Sequence, residues 1–287
     1  MSLFLLKKDG FSVFKCQKCD LSFVFPQPTP DMLRGSVYSG KYQANKIAEL
    51  KKVALDSKKI RIIDYIKANI QKGKKILDIG CSNGEFIFKL KEIGYECFGV
   101  ELNKGTYEIA KNNGLNVQNC ILEEAGFKDS FFDVIFLGDI IEHVADPDNF
   151  IRECRRILKS EGIIIISTPN MDCFWSKSTL ILYNIFGIPW SSVTPPYHLY
   201  QFSVDNLDLL MKNFNFIVKD GWFSGPPVLK YELGQTHVWG NFKRDKSLGN
   251  IVKLLLTAIL YPALYSINIL TAPLNQKDFG MVRVYKK

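Results

Sequence analysis

Within the stretch ILDIGCSNGEF, residues 76–86, an acid, Asp78, stands two positions ahead of a short loop that opens on Gly80 and closes on Gly84. A glycine-bounded turn between an apolar run and a helical pattern lets backbone approach a ligand closely and turns helix N–H groups toward it. It is not a dinucleotide loop, because G-x-G-x-x-G counted from Gly80 requires glycines where Ser82 and Glu85 stand. A P-loop is excluded too, since no Gly-Lys-Ser/Thr closes the turn. The carboxylate ahead of the loop would repel a phosphate and attract a cation. At the end of the next apolar run stands Glu101, where an acid can accept hydrogen bonds from two adjacent ribose hydroxyls. A nucleoside carrying an amino acid with its ammonium satisfies both demands, and S-adenosylmethionine is such a molecule.

The elements that must hold these residues alternate along the chain. KILDI, ECFGVEL, LNVQNC, FFDVIFL and GIIIISTP read as strands, separated by helical patterns at 86–93, 104–112 and 147–158, the last capped by Asp146 with Pro147 at its first position. An earlier lysine-rich pattern, 44–68, repeats its apolar residues at three to four. Continuous apolar strands divided by helices predict a parallel sheet covered on both faces, hence a doubly wound α/β fold. A capped helix at 203–213 and two strands, FIVKDGWF and GMVRVYKK, complete the pattern. The expected organisation is an N-terminal arm over 1–43 and a main domain over 44–287, with helical insertions at 170–202 and 224–278 covering the active site.

Four pieces in this order, ILDIGCSNGEF, FGVELN, FFDVIFLGDIIEHVADPDNF and LKSEGIIIISTPN, resemble the class I S-adenosylmethionine-dependent methyltransferases, in particular the branch similar to quinone-biosynthesis and sugar O-methyltransferases. The resemblance implies a mostly parallel seven-stranded Rossmann-like sheet. It also implies that Asp78, Gly80, Cys81, Ser82 and Gly84 contact the donor, that Glu101 takes the ribose, that Leu102 packs on the adenine, and that Asp139 with Ile140 closes the site below the methionine. Two departures stand out. Ser82 replaces the family's middle glycine, which requires a negative φ there to be tolerated. Cys120 stands where the family has an acid near the adenine amino group, leaving the backbone of Ile121 to meet the ring edge.

Methyl transfer is an in-line displacement in which the enzyme mainly aligns the partners, with a general base when the acceptor is a hydroxyl. His143 follows Glu142 after the fourth strand of the pattern, where the resemblance implies an EH pair; it is the candidate base, with orientation of the loop as the alternative. His198 and Tyr200, in PPYHLYQFS, are expected at the substrate side of the pocket, His198 as a contact or a second base. His237 is expected on the surface. TPPY at 194–197 looks like an amino-methylating tetrapeptide but follows the wrong strand, so a plain turn is expected. Tyr38 and Tyr42 are aromatics that could lie over the donor or simply pack.

The chain has 287 residues, 47% hydrophobic, with a formal charge of +8 spread along its length. A nucleic-acid partner is therefore not expected from charge, although RNA methylation stays open as an alternative. Seven cysteines at irregular spacing indicate a reducing compartment, and Cys16 and Cys19 form a CxxC without the second pair that zinc needs, so no metal is expected. The apolar start, MSLFLLKKDGF, does not have the layout of a secretory signal. From Leu254 to Gln276 no side chain is charged; Pro262 and Pro273 are expected to break that run, favouring a helical cover or a peripheral membrane contact through 250–272 over a span. Cytoplasm, with membrane association as the variant, is the expected location. The function expected is methyl transfer from S-adenosylmethionine to a hydroxyl of a small-molecule, sugar or lipid-linked acceptor; the alternative is a donor-binding module without turnover.

Overall fold

The computed structural model describes residues 2–29, 55–275 and 278–287. The chain divides into two compact units, one built from Met1–Gln27, Thr168–Leu207 and Trp222–Val282, the other from Pro28–Ser167, Asp208–Gly221 and Arg283–Lys287.

The first unit opens with an antiparallel meander of β1 (Ser2–Lys8), β2 (Phe11–Cys16) and β3 (Ser22–Phe25). Asp9 and Gly10 link β1 to β2 with φ of 51° and 84°, the paired positive values that an Asp-Gly turn adopts between twisted strands. Cys16 ends β2 and Cys19 lies in the following turn, both thiols free and half-buried.

The second unit begins, among the described residues, with α1 (Ser57–Asn69), capped by Asp56, whose Oδ1 accepts from the Lys59 N–H at 2.8 Å. Of the helix expected over 44–68, the part at 44–54 lies outside the described residues. There follow β4 (Lys75–Ile79), α2 (Glu85–Ile93), β5 (Glu96–Val100), α3 (Lys104–Asn112), β6 (Asn116–Gln118), β7 (Phe132–Gly138), α4 (Pro147–Ile157) and β8 (Leu158–Pro169). Strands β4, β5, β6, β7 and β8 pair in parallel. Ile163, Ile164, Ile165 and Ile166 of β8 are all buried, as a strand covered on both faces requires. In α4 the buried side chains are Phe150, Ile151, Cys154 and Ile157, one stripe at helical spacing.

The chain continues through α5 (Phe174–Phe186), β9 (Tyr200–Gln201), α6 (Val204–Asn213) and β10 (Ile217–Phe223), then α7 (Leu229–Gln235), α8 (Val238–Arg244), α9 (Leu248–Asn275) and β11 (Gly280–Lys286). β9 joins the meander beside β3. The second sheet has seven strands in the order β10-β11-β8-β7-β4-β5-β6. This is the doubly wound, mostly parallel sheet expected from the sequence. From β4 the chain steps outward to β6, then returns to lay β7 on the other side of β4. That reversal opens a crevice at the carboxyl ends of β4 and β7, where open α/β sheets bind ligands.

One expectation is overturned here. Neither Pro262 nor Pro273 breaks the apolar run: α9 is one helix of 28 residues passing through both. Proline removes a single helical hydrogen bond, and Pro262 sits on the exposed side, while buried Tyr261 and half-buried Leu264 anchor the turns around it.

Candidate functional site

All the second unit's expected site residues cluster at the carboxyl ends of β4, β5, β6 and β7. Asp78 is buried beneath the loop that follows β4. Gly80 has φ 73°, and its N–H and that of Cys81 donate to the Val100 carbonyl at 2.9 and 3.1 Å, tying the loop to the end of β5. A Cβ on Gly80 would lie 2.2 Å from Ile140 Cδ1, so glycine is required both by φ and by space. Gly84, φ 81°, caps α2, and its N–H donates to the Cys81 carbonyl at 2.9 Å.

Ser82 corrects the expectation of a negative φ: it stands at +52°. What holds it in this left-handed conformation is Glu101, whose Oε2 accepts from the Ser82 N–H at 2.8 Å. The other oxygen, Oε1, accepts from the Asn103 N–H at 2.6 Å. Glu101 is thus aimed by two backbone donors, and each oxygen keeps a lone pair for a further donor such as a ribose hydroxyl. Asn119 Nδ2 donates to the carbonyls of Glu101 and Leu102 at 2.7 and 3.0 Å, fixing the backbone on which Leu102 is presented.

The electrostatics of the cluster suit a cation. Burial pushes the Asp78 carboxyl up to about 8, with Glu101 and Glu85 adding to the rise and Lys59 opposing it. Burial likewise raises Glu101, against the backbone hydrogen bonds that favour its charged form. Two acids held above their ordinary range in one crevice are relieved by a positively charged ligand. Lys59 is paired with Glu85; burial lowers its pKa, but Glu85, Asp78 and Asp56 outweigh that and leave it raised.

After β7, Asp139 has φ 55°, donates its N–H to the Ser167 carbonyl at 2.9 Å and accepts from Ser167 Oγ at 3.1 Å on Oδ1. Its Oδ2 forms an ion pair with Lys58 Nζ. Ile140 precedes a single 3-10 turn, Ile141–His143, in which the His143 N–H donates to the Ile140 carbonyl at 2.9 Å. His143 is half-buried at the end of that turn, one turn past the Asp139–Ile140 corner. Cys120 lies just past β6, half-buried with its thiol raised by burial, and Ile121 is partly exposed at the start of the next turn.

His198 and Tyr200 belong to the first unit. Residues 194–198 form the plain turn expected, with Tyr197 and His198 N–H groups donating to the Thr194 carbonyl at 2.9 and 3.1 Å, and Tyr200 pairs with Phe23 in the sheet register. His237 lies 3.3 Å from Asp9, also in the first unit. Tyr38 and Tyr42 fall outside the described residues. Sequence reasoning missed Lys58, Lys59 and Ser167. The lysines fall inside the lysine-rich pattern without a spacing that singles them out, and the one local signal is Asp56, which caps the helix just ahead of them.

A family model described as a methyltransferase domain matches residues 51–219. Among curated relatives, a ubiquinone biosynthesis O-methyltransferase of Pelagibacter ubique is 35% identical over 130 residues, 44% of this chain and 52% of that protein. One of the same description from Actinobacillus pleuropneumoniae is 31% identical over 121 residues, 38% of this chain and 52% of that protein. The chain therefore spans about half the length of these relatives. Among solved structures, a SAM-dependent methyltransferase from Archaeoglobus fulgidus superposes with a TM-score of 0.50 at 20% identity, covering 80% of this chain and 92% of that one.

Proposed function

The chain belongs to the S-adenosylmethionine-dependent methyltransferases, and from that premise we propose that it moves the methyl group to a hydroxyl of a small-molecule acceptor, a sugar or lipid-linked metabolite included. The observation that carries the donor half is the acid pair, Asp78 under the glycine loop and Glu101 aimed by the Ser82 and Asn103 N–H groups. The hydroxyl half is supported by curated relatives named as O-methyltransferases and by a histidine placed one turn past the Asp139–Ile140 corner.

When bound, S-adenosylmethionine supplies an electrophilic methyl group on a sulfonium. Asp78 answers the positive charge of the amino acid part, and Glu101 accepts from the ribose hydroxyls. Lys58, held on Asp139, is a cation available for the donor's carboxylate. Ile140 and Leu102 exclude water from the two ends of the pocket. His143 takes the acceptor's proton as the oxygen attacks, a contribution of about 10²–10⁴-fold for a positioned base.

The test is S-adenosylhomocysteine formation, followed by mass spectrometry, with hydroxylated aromatic, sugar and lipid-linked acceptors and with transfer RNA. Product with a hydroxyl acceptor, lost in Asp78→Asn and slowed about a hundredfold or more in His143→Ala with donor affinity unchanged, is the expected result. Donor binding by calorimetry without turnover on any acceptor would leave a binding module, and methylated transfer RNA would move the acceptor to nucleic acid.

A further inference from the structure

Helix α9 is amphipathic the wrong way round for water. Thr257, Tyr261 and Asn268 are buried on the face it turns toward α5, α7 and α8. On the opposite side, Leu255, Ile259 and Leu270 are 58, 66 and 73% exposed, and Leu248 and Val252 extend the same row at helical spacing. Neighbouring α5, which packs against α9, adds exposed Ile181 and Ile185. Over Leu248–Thr271 the mean hydropathy is 1.7. An aliphatic strip of this length, interrupted on its outer side by Ser266, marks a surface whose natural surroundings are apolar.

Charge decides which surroundings. Lys243, Arg244, Lys246 and Lys253 gather at the amino end of α9. Beside them a cavity of about 300 Å³ has Lys7 and Arg244 on its wall; Lys8 also lines it but donates its ammonium to the Trp190 and Val193 carbonyls at 2.9 and 2.6 Å, and His237 lies 3.3 Å from Asp9. A second copy of this chain, itself of formal charge +8, offers no opposite charge for these cations, whereas an anionic bilayer takes the aliphatic row among its acyl chains and neutralises them. Between Leu254 and Tyr265 the helix's other face packs on the cluster of Cys173, Trp175, Leu182 and Val238, which favours a helix lying on the bilayer surface over one crossing it.

We propose that the first unit docks on an anionic membrane surface, with α9 lying in the plane of the bilayer, its aliphatic row among the acyl chains and the cationic cavity at its amino end receiving a lipid phosphate. Pro262 fits that placement, because it sits on the exposed side of the helix. The proposal is independent of the acceptor's identity.

Vesicle flotation of the full chain tests it, using phosphatidylcholine alone and phosphatidylcholine with about 30% phosphatidylglycerol. The wild type is expected to float with the anionic vesicles. Leu255→Glu combined with Ile259→Glu should lower the bound fraction at least about tenfold, and Arg244→Gln about fivefold on anionic vesicles only. These positions are solvent-facing, and an unchanged circular-dichroism melt on the same samples shows that the variants are folded. A wild type that floats with neither vesicle, variants that float like the wild type, or a dimer in vesicle-free buffer dispersed by the two glutamates would each overturn the proposal.

Discussion

Asp78 gives the proposed donor pocket a titratable proton. Its folded-state pKa of about 8 lies above the ordinary 3.8, so its contribution to stability is fully present below about pH 4 and is lost as pH rises through about 8. The donor-free protein should therefore show a melting temperature that falls across that window, and Asp78→Asn should flatten the fall. A cationic donor favours the carboxylate, so binding at neutral pH should release on the order of one proton, read by calorimetry in buffers of different ionisation enthalpy. Asp78→Asn should abolish the release. Ser82 offers a second residue-scale check: its φ of 52° costs a non-glycine residue about 1 kcal/mol, so Ser82→Gly should raise stability by up to that amount in denaturant titration.

At the scale of elements, the helix boundaries follow from chemistry that a sequence displays. Asp146 Oδ1 accepts from the Asn149 N–H at 3.0 Å and Pro147 opens α4, so Asp146→Ala should cost about 1 kcal/mol, measurable as a lower urea midpoint with an unchanged slope. The parallel strands were legible because each is an apolar run closed by a turn residue, and the acids at their ends came with them. α9 was not, because proline's local effect on Pro262 was weighed without the packing of Tyr261 and Leu264, which the sequence does not reveal. Ser82 was misjudged for a similar reason: the bond that holds its φ comes from Glu101, in a different strand's terminus. Lys58 and Ser167 reach Asp139 from far along the chain, and no local spacing announces them.

The whole molecule depends on its last strand. β11 lies between β10 and β8, so the sheet's far edge is held by residues near the end of the chain. Within the second unit Arg283 Nε and the Tyr285 hydroxyl donate to Asp208 Oδ1 at 3.0 and 2.7 Å, fastening that strand to α6. Ending the chain at Phe279 removes β11 and leaves β10 without a neighbour. Such a chain should lose cooperative melting by circular dichroism, although every residue proposed for the donor site in the second unit is still present. Pairings between such distant segments close late, so refolding should also be slow relative to a helical protein of equal size.

Gly99 and Cys81 form an interlocked pair at the base of the donor loop. A side chain at 99 would meet Cys81 Sγ at 2.6 Å and Val117 Cγ1 at 3.0 Å, so the thiol occupies the notch that the missing Cβ leaves. Along a lineage of such chains, position 99 cannot gain a side chain while cysteine stands at 81, whereas position 81 can change as long as 99 stays bare. In a collection of descendants, any side chain at 99 should come with a residue smaller than cysteine at 81.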